Sequence, residues 1–265
     1  MTWLLWFSLA CVKSRDPAPE DLEGLIRYLY TNWEDPVSVE DGLENMALWL
    51  ETEGQTEVAR DDGFILEALD AETIGDLEYP TRTPLSEMVG VAISRVSPYS
   101  IDRHAQIITE FDQKWNSPTK YEQYDRNITE GSKTDFLAAD AHNVPEFIFT
   151  HNDVIQERLG IRIPYILLKN YRWTTTEDGR RALLARSWVP EYGCSGDDGE
   201  GGNCVELSFS VDLLYEKSSS EAYRMTASWN YVSLIIDIPQ DIQIDQLAGG
   251  IIGNMESTDE YLAGE

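Results

Sequence analysis

The chain has 265 residues, of which 42% are hydrophobic and 11% aromatic, enough to bury a substantial core. Its 48 acidic and 20 basic residues give a formal net charge of −28 at pH 7. That charge repels nucleic-acid phosphates and anionic lipid headgroups, which argues against nucleic acid as a partner and against docking on acidic membranes.

The N-terminal segment from Trp3 to Ala10 is apolar but too short to span a membrane, and no later run reaches the roughly 18 apolar residues of a transmembrane span. Ser8-Leu9-Ala10-Cys11 resembles the lipobox of bacterial lipoproteins, although Ser8 stands where leucine is usual and no Lys or Arg precedes it. The resemblance implies a signal peptide over residues 1–10, lipid attachment at Cys11 and a tether over 11–20. We therefore expect a lipid-anchored protein of the bacterial cell envelope. The alternative is a short hydrophobic element in a cytoplasmic protein.

Residues 20–80 are predicted to form a helical module. Apolar side chains recur there with the helical period, at Leu22, Leu25, Ile26, Leu29, Tyr30 and Trp33. Ser38 is expected to cap a second helix. Residues 64–69 are predicted to form a short third helix, and residues 78–84 a linker.

Residues 88–257 have the pattern of an antiparallel α+β domain. Ser100 is expected to cap a helix, and residues 205–213 alternate strictly between apolar and polar, which predicts a half-buried strand. A second long strand is predicted over 223–236, after a serine-rich turn. A final helix would bury Leu247, Ile251 and Met255, with close packing as the reason for Gly249, Gly250 and Gly253. Residues 258–265 are expected to form a flexible tail.

From residue 88 the order is strand, helix, several antiparallel strands and a C-terminal helix. This order is similar to that of START-like helix-grip domains. The resemblance implies a curved sheet around the last helix and a cavity for lipids or other apolar ligands. The predicted fold class is therefore α+β, with an N-terminal helical module followed by a mainly antiparallel sheet and a C-terminal helix packed on it. Strand aromatics either line such a cavity or form plain core: Tyr165, Tyr171, Trp173, Trp188, Phe209, Tyr223, Trp229 and Tyr231.

The chain contains three cysteines. If Cys11 carries lipid, Cys194 and Cys204 remain, and they bracket nine glycine-rich, acidic residues between two strand-like segments. A disulfide would close this loop, and disulfides persist in oxidising compartments such as the periplasm. The alternative is two free thiols in the cytoplasm.

The sequence lacks a nucleophile elbow, a phosphate-binding loop and a dinucleotide fingerprint, so no catalytic residue and no cofactor is predicted. Asp140, His142, His151 and Asp153 offer imidazole and carboxylate ligands that would suit zinc or iron if they converged. The competing interpretation is that they are solvated loop residues.

Three functional hypotheses follow. The first is an envelope lipoprotein whose acidic α+β domain has a binding or structural role toward an unknown protein. The second is a START-like carrier of a small apolar ligand. The third is a metal-dependent enzyme that uses His142 and His151.

Overall fold

A nine-stranded sheet organises the described part of the chain, which in this computed structural model comprises residues 16–117, 120–138, 147–158, 160–196, 202–235 and 238–264. The residues of the lipobox and the signal segment lie outside these ranges. The helices are α1 Leu22–Thr31, α2 Pro36–Glu51, α3 Ala71–Ile74, α4 Ile101–Ile108, α5 Lys133–Ala138 and α6 Gln240–Gly264. The strands are β1 Phe64–Leu66, β2 Val89–Ser97, β3 Tyr121–Glu130, β4 Phe147–Arg158, β5 Ile161–Thr175, β6 Arg181–Trp188, β7 Gly193–Cys194, β8 Cys204–Glu216 and β9 Ala222–Ser233.

The strands run in the order β1-β2-β9-β8-β6-β5-β4-β3, and every neighbouring pair is antiparallel. The short strand β7 pairs with β8 outside this order. In the register of the central strands, Phe209 lies opposite Trp188 on one side and Trp229 on the other. The predicted antiparallel sheet with a C-terminal helix packed on it is confirmed.

The two faces of the sheet are covered by different helices. The apolar side chains of β8 and β9 form one core with α1 and α2, at Leu207, Phe209, Val211, Leu213, Tyr215, Met225, Ala227 and Trp229. On the opposite face, Val91 and Ile93 of β2 pack against Ile251 and Met255 of α6. Because side chains alternate along a strand, the polar residues between the apolar ones of β8 and β9 point toward α4 and α6.

Two arginines of the sheet bind the C-terminal end of α1. Arg172 donates to the Trp33 carbonyl, and Arg186 donates to the Tyr30 carbonyl at 3.5 Å. Both guanidinium groups lie over the Trp33 ring, at 5.7 Å and 5.2 Å from its centroid. Tyr30 belongs to the last turn of α1, whose final carbonyls carry partial negative charge, so Arg186 complements this helix, which has no basic residue in its own last turn.

Two local predictions are wrong in the N-terminal part. The second helix begins at Pro36 and is capped by Asp35, whose carboxylate accepts from the Val37 N–H at 3.2 Å and from the Ser38 hydroxyl at 2.8 Å. Residues 64–69 do not form a helix, because Phe64–Leu66 is a strand paired with β2. A short apolar run fits both the helical and the strand period, and here the run forms a strand because it pairs with the edge of β2.

Helix α6 is longer than predicted. It extends to Gly264, and Thr258 and Leu262 are buried, so residues 258–264 belong to the helix rather than to a tail. Ala248, Ile251 and Met255 face β2. Close packing does not explain its glycines, because a Cβ at Gly249 or Gly253 would meet no atom within 4 Å. Within the described ranges, no helix combines the length and apolarity needed to cross a bilayer.

A disulfide joins Cys194 of β7 to Cys204 of β8, as the spacing of the cysteines predicted. The two residues are also register partners in the sheet, with their Cα atoms 4.1 Å apart. The intervening loop is held further by Ser195, whose N–H donates to the Asn203 carbonyl at 2.9 Å.

Candidate functional site: a cavity between the sheet and α6

A cavity of about 660 Å³ lies between the polar face of the sheet and α6. Its walls come from β2, β3, β4, β5, β6, β8 and β9 on the sheet side and from α4 and α6 on the other. The polar residues of the strand 205–213, expected to face solvent on a half-buried strand, include three that line it: Ser208, Ser210 and Asp212. The alternation of that strand is therefore confirmed from Leu207 to Leu213, whereas Val205 lies beyond a register shift and itself lines the cavity. Helices α4 and α6 cover the second face of the strand.

An ion pair spans the sheet side of the cavity. Lys169 of β5 reaches over β6, and its Nζ lies 2.5 Å from Asp212 Oδ2 on β8. The same carboxylate accepts from Thr226 Oγ1 at 2.7 Å and from Ser210 Oγ at 3.2 Å. Burial alone would lower the pKa of Lys169, but the Asp212 carboxylate and neighbouring tyrosines outweigh it and raise the pKa. Lys169 therefore presents an ammonium to the cavity at neutral pH.

Arg126 of β3 forms a second cationic part of the wall and is only 5% exposed. Its Nε donates to Asn152 Oδ1 at 2.8 Å, and its Nη1 donates to the Ile108 carbonyl at 2.5 Å. Asn152, itself fully buried, donates to Thr150 Oγ1 and to the Leu167 carbonyl, which fixes its amide. The guanidinium is thus held in one orientation by Asn152, whose position is set by β4 and β5, and by the Ile108 carbonyl of α4.

Aromatic rings surround these cations. Tyr121, Tyr124, Tyr165 and Tyr171 line the cavity near Lys169. Burial raises the pKa of both Tyr121 and Tyr165, so their hydroxyls stay protonated. The opposite wall is more apolar and is made by α4 and α6, chiefly Ile107, Ile108, Leu247, Ile251 and Met255.

Three buried polar atoms of residues that line the cavity have no hydrogen-bond partner in the described part of the chain: Trp115 Nε1, Arg224 Nε and Asn254 Oδ1. Buried polar groups in proteins are almost always satisfied. These two donors and one acceptor are therefore unpaired polar groups within the wall of the cavity.

A polar chain ties α6 to the sheet at one end of the cavity. Arg224 Nη2 of β9 lies 2.9 Å from Asp259 Oδ2 on α6, and Ser97 Oγ donates to Asp259 Oδ1 at 2.8 Å. His104 Nε2 lies 2.9 Å from Ser97 Oγ. Because the single Ser97 proton goes to Asp259, His104 Nε2 carries the proton that Ser97 accepts.

His104 is buried and lines the cavity next to the Ser97–Asp259 hydrogen bond. Burial, together with the nearby Arg224 and Arg103 charges, lowers the pKa of His104 to about 3. The imidazole is therefore neutral at physiological pH. Sequence reasoning did not single out this histidine, since its only signal was a polar residue on the apolar face of α4.

The predicted metal candidates do not come together in the described residues. His151 and Asp153 lie on β4 with Nε2 and Oδ1 3.6 Å apart, and both side chains are partly exposed. Neither lines the cavity, to which β4 contributes Gln156 and Glu157. Asp140 and His142 lie outside the described residues, and within these no group of three potential ligands could hold a metal ion.

The strand aromatics divide between the two faces of the sheet. Tyr165 and Tyr171 line the cavity. Trp188, Phe209 and Trp229 pack instead against the N-terminal helices. The charged lining residues Arg126, Lys169, Asp212 and Arg224 were missed. What the sequence offers to find them is a charged residue on the cavity-facing side of a regular strand, and this feature recurs on several strands of the sheet.

No protein-family model and no curated protein matches this sequence. Among solved structures, a START superfamily protein from Mycobacterium smegmatis is similar, with 10% identity and a TM-score of 0.42 over 66% of this chain and 97% of that one. A STAR-related lipid transfer protein from Xanthomonas axonopodis has 7% identity and a TM-score of 0.40, over 71% of this chain and 99% of that one. The Zhui aromatase/cyclase from Streptomyces has 9% identity and a TM-score of 0.37, over 67% of this chain and 92% of that one. The strand order and the packing of α6 on the sheet define the fold of this chain.

Proposed function

We propose that this chain binds a small amphipathic molecule in the cavity between the sheet and α6. The observation that carries the proposal is the cavity itself, about 660 Å³ in volume and backed by regular strands. Small-molecule sites in proteins typically occupy about 300–1,000 Å³. Such a space inside a well-packed protein is otherwise costly, because core voids forfeit dispersion contacts.

Among the lipids and other apolar ligands that the helix-grip resemblance implies, the lining favours an amphipathic molecule. The α4 and α6 wall offers aliphatic side chains, whereas the sheet wall offers Lys169, Asp212, Ser210 and Thr226. A ligand with one polar end and one apolar part satisfies both walls. A hydrocarbon alone would leave the polar wall desolvated without new hydrogen bonds.

Two neighbouring glycines of α6 provide the test. Gly250 lines the cavity, and a Cβ there would meet only the flexible end of Lys120, 3.6 Å away. Gly249 is exposed, is not a lining residue and has open space around it. Gly250→Phe should fill part of the cavity, and Gly249→Phe is a matched control with the same gain in helix propensity.

Titration with the neutral fluorescent probe Nile red, followed by displacement with decanol, measures occupancy. We expect saturable binding to the wild type and to Gly249→Phe, and binding at least tenfold weaker to Gly250→Phe. Absence of saturable binding to the wild type, or equal weakening in both variants, would overturn the proposal. Circular dichroism of the three proteins establishes that they are equally folded.

We also propose that the protein is exported and anchored in a bacterial cell envelope through Cys11. The lipobox-like Ser8-Leu9-Ala10-Cys11 supports this, and the Cys194–Cys204 disulfide is consistent with an oxidising compartment. Detergent phase partitioning followed by mass spectrometry of the N-terminus tests it. A lipid-modified Cys11 is expected, lost in Cys11→Ser, whereas an intact Met1 on the mature protein would overturn it.

A further inference from the structure

The cavity is lined by more basic than acidic side chains, although the whole chain carries a formal charge of −28. The basic lining residues are Lys120, Arg126, Lys169 and Arg224, and the acidic ones are Glu157 and Asp212. Glu157 is exposed. Fields focus in clefts with low-dielectric walls, so this local excess of positive charge favours an anionic ligand despite the acidic surface.

Two of these cations already have carboxylate partners. Lys169 pairs with Asp212 at 2.5 Å, and Arg224 pairs with Asp259 at 2.9 Å. Arg126 differs, because no carboxylate of the described residues lies within ion-pair distance of it. The residue is nevertheless only 5% exposed. A buried charge is costly unless an opposite charge compensates it.

Arg126 also has donors to spare. A guanidinium carries five N–H donors, and three are engaged, by Asn152, by the Ile108 carbonyl and, at 3.4 Å, by the Tyr124 hydroxyl. Arginine binds carboxylate and phosphate in a bidentate manner, which uses two parallel N–H groups. The donor count, the fixed orientation from Asn152 and the position on the cavity wall all suit that mode.

Lys169 and Arg126 both lie near the Tyr171 ring. Arg126 Cζ is 5.1 Å from the centroid of the Tyr171 ring, and Lys169 Nζ is 5.2 Å from the same centroid. The two cations therefore border one ring of the cavity wall. The aliphatic side chains of Ile107, Ile108 and Ile251 also line the cavity, and the Ile108 carbonyl accepts from Arg126 itself.

We propose that the ligand is an anionic amphiphile, whose carboxylate or phosphate headgroup binds Arg126 beside Lys169 and whose apolar part lies along α4 and α6. This proposal rests on the function proposed above and specifies its ligand class. Arg126 is assigned as the residue that selects the charge of the headgroup.

Wild-type protein tests the ligand class with probes that share one tail. Calorimetric titrations compare decanoate, decyl phosphate, decanol and decylammonium, with acetate and inorganic phosphate as headgroups without a tail. We expect decanoate or decyl phosphate to bind about tenfold or more tightly than decanol, and decylammonium to bind most weakly. Binding of decanol as tight as both anions would overturn this inference while leaving the proposed cavity function intact. Failure of every tailed probe would overturn both. If acetate or inorganic phosphate bound as tightly as decanoate or decyl phosphate, the inference that the ligand is an amphiphile would be overturned.

Variants then test the residue. Arg126→Gln should abolish the preference for the anion while retaining decanol binding, and Arg126→Lys should restore part of that preference. Arg162→Gln is the matched control, because Arg162 is a 60% exposed arginine of β5 that pairs with Glu122. Decanol binding serves as the folding readout in each variant. An unchanged anion preference in Arg126→Gln would overturn the assignment of this residue.

Discussion

The ammonium of Lys169 and the carboxylate of Asp212 meet across an intervening strand. Lys169 belongs to β5 and Asp212 to β8, and β6 runs between them, with Ser187 and Ser210 hydrogen-bonded at 2.7 Å alongside. An ion pair that bridges two non-adjacent strands requires the sheet to bring both side chains onto one face. It therefore links the register of three strands to the chemistry of the cavity.

Removing one member of this pair should destabilise the protein. We expect Lys169→Met or Asp212→Asn alone to lower the free energy of unfolding by about 2 kcal/mol, because each leaves a partly buried charge without its partner. The double variant should lose less than the sum of the single losses. Urea denaturation of the four proteins gives the coupling energy.

The exposed pair Lys217–Glu221 is the control, with Nζ and Oε2 3.4 Å apart. Lys217→Met should cost no more than about 0.5 kcal/mol, as is typical of solvent-exposed pairs. Additive losses at Lys169 and Asp212 would show that the pair is not coupled in solution.

The sequence predicted the helices and strands well where a periodic pattern of apolar residues extends over many positions. The amphipathic face of α1, the Ser100 cap of α4 and the alternation along β8 all depend on local side-chain patterns, and the structure confirms them. The strand at Phe64–Leu66 was mistaken for a helix, because three apolar residues have too little length to distinguish the two periods.

The cavity could not be located in the same way. Alternation shows that one face of β8 is apolar, but not what covers the other face, and Ser208, Ser210 and Asp212 have the composition of a solvated surface. What covers them is α6, whose glycines weaken its helical signal. The pairing of Lys169 with Asp212 depends on β5, β6 and β8 lying side by side, which no local pattern specifies.

His104 makes stability depend on pH. Burial holds the pKa of His104 at about 3 in the folded protein, against about 6.5 when it is exposed in the unfolded chain. Between these values the unfolded state binds a proton that the folded state does not, so stability falls as pH falls from about 6.5 to about 3. The slope should reach about 1.4 kcal/mol per pH unit from this residue alone.

Denaturation of wild type and His104→Gln across this range isolates that contribution, since carboxylates that titrate in acid are common to both proteins. We expect the two curves of unfolding free energy to converge as pH falls. Parallel curves would mean that the folded imidazole is protonated as readily as the unfolded one. His151→Gln, at a histidine 38% exposed on β4, is the matched substitution.

The Cys194–Cys204 disulfide should contribute measurably to stability. The two cysteines are 10 residues apart in sequence, and a cross-link closing a loop of this size is expected to stabilise by about 2–3 kcal/mol, through the restricted unfolded chain. Denaturation with and without a reducing agent measures the difference. The Cys194→Ser, Cys204→Ser double variant should match the reduced wild type and should not respond to reductant. A wild type insensitive to reductant would indicate that the disulfide adds no net stability.

Alanine at Gly249 or Gly253 should stabilise the protein. Glycine in a helix interior is about 1 kcal/mol less favourable than alanine, and an added Cβ at either position meets no atom within 4 Å. Gly131→Ala should have the opposite effect, because Gly131 has a φ of +80° and a Cβ there would lie 2.3 Å from the Phe147 carbonyl oxygen. Thermal and urea unfolding of the three variants should therefore give gains of about 0.5–1 kcal/mol for each α6 substitution and a loss for Gly131→Ala. Losses at Gly249 and Gly253 would mean that α6 needs these glycines for a conformation other than the regular helix.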